Sequence, residues 1–437
     1  MPRHKYRFRM YQTLAAEAPA VLDEARKAAQ EIGLDVPASP AKRSGEDLPG
    51  EKALDHIREV VKGSYGGDYD CCVAGTPSSA LWMTCQAAFA GGHSGPAPQI
   101  LLPRCLAPRQ KGLMAPGAVI PPKYEHLRGP GDYPIPKTRA GFDVVVVPLQ
   151  GAVYGNHGVS NSPVSLLASV NPEASLEVLA ASAEVHAPYL CGIYSQGSST
   201  PGCGFGRVDD QGVDVLHKGI GDLAAEFDVP HVTDQTYALP FLSGSEAEPG
   251  TSVTVYGHRA MDGLGLIIGT EDLVTPILKG ITANRGEPTK QPGLRALQDL
   301  VTDLAGDPDR YTRSVSRLYD TVTEELGHLA PEFKKALRVG KNSASLSVEI
   351  NYEDTWGDEM GFPIFTVEDS RNGANLLEAG IAAMGISTMS VLEASIVMHL
   401  PDPGQGRFQF DEERAGLELK GLVRLLEIIG KRAGYLD

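Results

Sequence analysis

The chain of 437 residues lacks any run of about 18 apolar residues, the length a helix needs to cross a bilayer, so no membrane span is expected. Behind the basic start MPRHKYRFRMYQ there is no apolar stretch of the secretory type, and the expected location is the cytoplasm. Cysteine is scarce. The six thiols, Cys71, Cys72, Cys85, Cys105, Cys191 and Cys203, are irregularly spaced with no CxxC pair, which argues against a disulfide scaffold and a zinc site; no metal is expected. An excess of positive charge is also missing. With 39 Lys+Arg against 55 Asp+Glu the formal charge is −16, the wrong sign for a protein built mainly to hold nucleic acid or an anionic membrane surface. GxSxG, HExxH and GxxxxGK[ST] are absent, so serine-hydrolase, zincin and P-loop chemistry lack their motifs.

What is present is globular. Hydrophobic residues at 42% and charged residues at 22% suffice for a large core, and the length suggests two domains. Residues 13–34 and 51–61 carry apolar side chains at helical spacing, joined by the Pro/Gly/Ser-rich DVPASPAKRSGEDLPG. From about Cys71 short apolar runs alternate with helical stretches: 99–102, 142–147, 189–194, 229–233, 252–256 and 264–268. That alternation predicts an α/β fold with a mostly parallel sheet covered on both faces. Near Gly286 the texture changes to a long helical stretch, two apolar alternating segments at 343–350 and 362–369, and a closing helix at 411–432. The expected organisation is an N-terminal helical segment at 1–70, a large α/β domain at 71–285 and a C-terminal α+β small domain at 286–437.

Four segments in fixed order carry chemistry. Gly75-Thr76-Pro77-Ser78-Ser79-Ala80 stands at the start of a helical pattern, where small residues and hydroxyls suit either an anion-binding turn or a plain N-cap. Gln196-Gly197-Ser198-Ser199-Thr200-Pro201-Gly202-Cys203-Gly204-Phe205-Gly206 is a glycine-containing loop after the run CGIY. Pro230-His231-Val232-Thr233-Asp234-Gln235-Thr236-Tyr237 places an acid at the end of a buried strand, where α/β sheets bind ligands and a carboxylate can pair with a cationic ring nitrogen. Such an aspartate also serves as a turn cap. The fourth segment is Val253 to Met261 with the glycine-punctuated run Asp262-Gly263-Leu264-Gly265-Leu266-Ile267-Ile268-Gly269.

Taken in order, these segments resemble the pyridoxal-phosphate enzymes of the aspartate-aminotransferase fold over roughly residues 60–435. GHRAMDGLGLIIGTEDLV is similar to the corresponding stretch of the Sep-tRNA:Cys-tRNA synthase and cysteine desulfurase group, and ILLPRCLAPRQKGLMAPGAVIP to the ornithine/lysine/arginine decarboxylase branch. The resemblance implies pyridoxal 5'-phosphate as cofactor, with its phosphate at Thr76, Ser78 and Ser79, His258 beside it and Asp234 on the pyridine nitrogen. It further implies a lyase or transferase acting on an amino-acid substrate, free or presented on tRNA or a carrier protein. A homodimer is implied too, with NRGEPTKQPG at 284–293 near the partner's site and Arg407 on the substrate carboxylate.

The sequence departs from that pattern at one decisive position. Arg259 stands where the family has its Schiff-base lysine, and a guanidinium stays protonated and is a very poor nucleophile, so residue 259 forms no covalent link to the cofactor. Lys218 and Lys279 are the neighbouring lysines, each within a helical pattern. The family's ring-stacking aromatic is missing from Pro103 to Arg109, with His157 a loop residue elsewhere. Without the lysine, His258 and Arg259 are the expected catalytic pair, and His157 and Tyr237 are further acid/base groups. Cys71, Cys72 and Cys203 read either as persulfide carriers or as buried or loop thiols. Two other classes fit the same departure: a non-catalytic repurposed homologue serving assembly with a partner, and a Lys→Arg exchange introduced by design.

Overall fold

The computed structural model describes residues 4–34, 50–90, 98–104, 142–148, 171–196, 215–235, 239–241, 252–257, 261, 263–283, 293–307, 337–341, 346–351, 379–386, 390–392, 395–400 and 412–433. Two helices open the chain, α1 (His4–Ile32) and α2 (Gly50–Tyr65). The α/β region follows as β1 (Tyr69–Ala74), α3 (Pro77–Ala90), β2 (Gln99–Arg104), β3 (Asp143–Pro148), α4 (Pro172–His186) and β4 (Leu190–Gln196). It continues with α5 (Val215–Glu226), β5 (His231–Gln235), β6 (Ser252–Tyr256), β7 (Gly265–Thr270), α6 (Glu271–Ala283) and α7 (Gly293–Gly306).

The seven strands form one sheet in the order β1-β7-β6-β5-β4-β2-β3. β3, β2, β4, β5 and β6 pair in parallel, whereas β7 runs antiparallel to both β6 and β1. Two successive reversals leave β1 pointing the same way as β6, so β7 is the single inverted strand of a mostly parallel α/β sheet. A sheet buried on both faces should carry apolar residues almost continuously. β1 (YDCCVA) and β7 (GLIIGT) are largely built that way, whereas β5 (HVTDQ) and β6 (SVTVY) are buried at every residue yet carry polar side chains.

Alternation along the strands sorts the side chains into two faces. On one, Cys72, Ala74, Ile100, Leu102, Tyr194, Val232, Val253, Val255 and Ile267 pack under α3 and α6. On the other, Val73, Tyr256, Leu266 and Ile268 meet α2 and α7, while Leu101, Val147 and Ile193 meet α4 and α5. The start of α4 shows how local chemistry places a helix: Asn171 accepts from the Ala174 N–H at 3.0 Å, and Pro172 occupies a first-turn position that needs no N–H.

A second, four-stranded antiparallel sheet has the order β10-β11-β9-β8, made of β8 (Leu337–Lys341), β9 (Leu346–Asn351), β10 (Ser390–Leu392) and β11 (Ser395–Leu400). The expected strand at 362–369 lies outside the described residues. The last helix, α8 (Glu412–Ala433), packs on α1. Val21, Ala25, Ala28 and Ala29 form the buried stripe of α1 at helical spacing. α1 itself begins at His4, earlier than the expected residue 13, HKYRFRMYQ containing no helix breaker.

Arg414 fastens this corner. Its Nε lies 3.0 Å from the fully buried Glu418, and its other guanidinium nitrogens donate to the carbonyls of Leu34 at 3.1 Å and Gly385 at 3.2 Å. A buried carboxylate needs such a partner, since unpaired it would be costly to desolvate. Among the described residues no helix is long and apolar enough to cross a membrane.

Candidate functional site

The C-terminal ends of β1, β4, β5 and β6 and the start of β7 lie along one edge of the seven-stranded sheet, because Ala74 pairs with Gly265, Tyr256 with Leu266, Gln235 with Tyr256 and Gln196 with Asp234. In open α/β sheets this is the edge at which ligands bind. All four segments singled out above have residues there: the turn at Thr76 after β1, Gln196 at the end of β4, Asp234 near the end of β5, and Gly257 after β6.

Asp234 is only 4% exposed, and its Oδ2 accepts a hydrogen bond of 2.9 Å from the hydroxyl of Tyr194, which is fully buried on neighbouring β4. The carboxylate shares the α3 face with Val232. On α3, burial and then the charge of Asp234 push the Cys85 thiol far above its ordinary range. A buried ionisable group near a strand terminus is characteristic of a ligand-binding carboxylate more than of a turn cap.

The turn at Thr76 is capped by its own side chain. Thr76 Oγ1 accepts from the Ser79 N–H at 3.0 Å and lies 2.8 Å from Ser79 Oγ, and the Thr76 carbonyl accepts from the Ala80 N–H at 3.0 Å. The Ser79 N–H is thus engaged by the cap, and Pro77 has no N–H to offer. Thr76, Ser78 and Ser79 are nevertheless all exposed, at a helix N-terminus that favours negative charge. Gly265 holds that terminus against the sheet. A Cβ there would sit 2.5 Å from the Ala80 Cβ, 2.9 Å from the Thr76 carbonyl oxygen and 3.0 Å from the Pro77 Cα, so only glycine permits this approach.

His258, Arg259, Tyr237, His157, Arg407, Cys105 and Cys203 lie outside the described residues. The two alternative lysines are helix-surface residues: Lys218 is exposed and donates to Asp222 at 2.8 Å, and Lys279 is exposed on α6. Cys71 and Cys72 are buried in β1. Burial pushes the Cys71 thiol far up and Cys191 to about 12, so neither offers a thiolate near neutral pH. Among the described residues no group of His, Cys, Asp and Glu has the makings of a metal site.

Tyr194 was not singled out from the sequence. Its one signal is a large hydroxyl-bearing ring in the apolar run LCGIY, which must find a partner once buried, but the partner stands 40 positions away.

Behind β5, on the α5 face, sits a second polar cluster. His231 is fully buried, its Nε2 2.6 Å from Ser195 Oγ and 3.3 Å from Thr233 Oγ1, its Nδ1 3.3 Å from Ser252 Oγ and its ring 5.4 Å from that of His217. Burial, and secondarily His217, hold its pKa well below 6.5, so it stays neutral when folded. The unfolded chain takes up a proton at about 6.5. The stabilisation is thus complete above that pH and is lost as pH falls below it toward the lower folded value, by about 1.4 kcal/mol per unit. Urea unfolding at pH 7 and 5.5 should show His231→Gln losing about 1 kcal/mol less than the wild type over this interval; equal losses would refute the assignment.

No family profile matches the sequence, and no curated protein does. Solved structures do match. An omega transaminase from Pseudomonas jessenii in complex with PMP is 10% identical with a TM-score of 0.55, covering 94% of this chain and 86% of that one. A PLP-bound putative aminotransferase from Clostridium difficile 630 is 11% identical with a TM-score of 0.48, over 94% and 88% of the two chains. A Thermus thermophilus aspartate aminotransferase double mutant is 15% identical with a TM-score of 0.45, again over 94% and 88%. The first of these shows the fold, an α/β fold of the transaminase kind.

Proposed function

We propose that the chain is a pyridoxal-phosphate-dependent transferase acting on an amino-acid substrate, with the cofactor held non-covalently. The observation that carries this reading is the buried Asp234 carboxylate at the ligand-binding edge of the sheet, on the same edge as the exposed hydroxyls at the start of α3. The donor set fits the group: an anion for a protonated ring nitrogen, and hydroxyls with a helix N-terminus for a phosphate.

When bound, pyridoxal phosphate supplies an electron sink for charge developing at the substrate Cα. Asp234 keeps a proton on the ring nitrogen. Of the Thr76 and Ser79 hydroxyls, 2.8 Å apart, one donates to the other, which keeps its own proton for the phosphate, and Ser78 offers a second. Arg259 follows β6 by three residues and supplies a permanent cation for the phosphate or a substrate carboxylate. His258 moves the proton at the substrate Cα in place of the lysine, and Arg407 binds the substrate carboxylate.

The finer reading follows the motif resemblance: the chemistry of the Sep-tRNA:Cys-tRNA synthase and desulfurase group, lyase or transferase, with a substrate free or carried on tRNA or a protein. The expected working form is a cytoplasmic homodimer. It has an N-terminal segment at 1–70, a large domain at 71–285 and a small domain at 286–437, NRGEPTKQPG approaching the partner's site.

The test is spectroscopic. The wild-type protein should develop a visible absorption band with pyridoxal phosphate and lose it on dialysis, with no pyridoxyl group retained after borohydride. Arg259→Lys should retain one covalently after the same treatment, detected by mass spectrometry. A protein that binds no cofactor in either form would leave the non-catalytic homologue as the better account.

A further inference from the structure

We infer that Tyr194 is a positioning residue for the cofactor site: its hydroxyl fixes the orientation of the Asp234 carboxylate and weakens that carboxylate's hold on the ring-nitrogen proton. The inference rests on the cofactor reading of the same site. β4 and β5 are parallel, with Tyr194 opposite Val232 and Gln196 opposite Asp234, so the phenol reaches diagonally along the sheet face to the carboxylate at 2.9 Å. Tyr194 is fully buried in the cluster with Cys85, Phe89 and Val232, its ring walled by side chains on the sheet and on α3. A ring fixed in this way has one place for its oxygen, so the bond pins one carboxylate oxygen and with it the carboxylate plane. A phenylalanine would fill the same volume. The hydroxyl is what a purely structural ring would omit.

The described surroundings of the pair are largely apolar. From β6 the same face presents Val253 and Val255, and from β5 Val232, all apolar. α3 carries no charged residue and presents Cys85, whose thiol burial keeps protonated; the charged residues of α6, Glu271, Asp272 and Lys279, are exposed. The other titratable groups of this cluster are the thiols Cys72 and Cys191. Within it the Tyr194 hydroxyl is a charge-stabilising donor to Asp234 at 2.9 Å. Donation to a carboxylate favours its charged form most when no cation faces it. Loss of the ring-nitrogen proton uncovers that charge, so the tyrosine makes the proton easier to lose.

The test uses the full chain loaded with pyridoxal phosphate labelled with nitrogen-15 in the ring, its nitrogen shift followed against pH. Tyr194→Phe should move the midpoint of ring-nitrogen deprotonation up by about one pH unit. Site-specific 3-fluorotyrosine at position 194, a stronger donor of nearly the same shape, should move it down. The two shifts in opposite directions exclude a packing defect, which would not reverse with donor strength. If the cofactor binds all three proteins and the profiles superimpose, the inference is wrong and the cofactor reading stands. If the wild type binds no pyridoxal phosphate, both fall, and the failure is seen as missing binding instead of a missing shift.

Discussion

Asp234→Asn is expected to lower the affinity for pyridoxal phosphate roughly thirtyfold while leaving the protein at least as stable as before. A hydrogen bond involving a charged group contributes about 1.5–3 kcal/mol, and about 1.4 kcal/mol is tenfold in affinity, so losing an ion-paired bond worth about 2 kcal/mol gives that factor. The direction of the stability change follows from burial. Asp234 is 4% exposed, and keeping a carboxylate charged there costs desolvation that hydrogen bonding offsets only in part. Asparagine is nearly isosteric, retains an oxygen that accepts from Tyr194, and carries no charge to desolvate. A residue kept for structure would lose stability on replacement; one kept for a ligand loses the ligand. Absorbance titration with the cofactor and calorimetric melting, run on the same two proteins, separate the cases. Unchanged affinity with a lowered melting temperature would show that Asp234 serves the fold and that the proposed site is misassigned.

Gly265→Val is expected to cost about 3 kcal/mol of stability and to weaken phosphate binding at the same time. Gly265 is the first residue of the inverted strand β7 and is paired with Ala74, while the first turn of α3 rests directly on its backbone. A Cβ would stand 2.5–3.0 Å from atoms of Thr76, Pro77 and Ala80, two of them backbone atoms that have no rotamer to adopt. The helix terminus must lift, and forcing extra carbons into a packed interior costs about 1–3 kcal/mol, the upper end for a branched side chain. The same movement carries Thr76 and Ser79 away from the sheet edge. Gly263 is the control. It has φ +80° with open space around its would-be Cβ, so Gly263→Ala should cost about 1–2 kcal/mol through backbone strain alone, with phosphate affinity unchanged. Urea unfolding gives both stabilities. Should Gly265→Val bind phosphate or pyridoxal phosphate as the wild type does, the start of α3 is not the phosphate site.

The elements of the large sheet were legible in the sequence because their signal is local. The run expected at 252–256 is β6 (Ser252–Tyr256), and that at 264–268 falls within one or two residues of β7 (Gly265–Thr270). Apolar continuity marks a buried strand and helical spacing a packed helix, and both are properties of a few adjacent side chains. The expectation that Asp234 lies near the end of a buried strand rested on equally local pattern, and β5 places it there; the Arg259 reading used only the order of residues.

The tertiary structure alone decided the rest. Which strands are neighbours, that β7 runs against β1 and β6, and that α1 closes on α8 at the far end of the chain are choices among long-range pairings that local pattern leaves equal. The cap at Thr76 engages the Ser79 N–H that the pattern alone leaves open. Tyr194 reaches Asp234 because β4 and β5 pair in one particular parallel register. A slip of one residue would turn the phenol to the opposite face, since side chains alternate along a strand, so the contact exists only after the sheet has assembled.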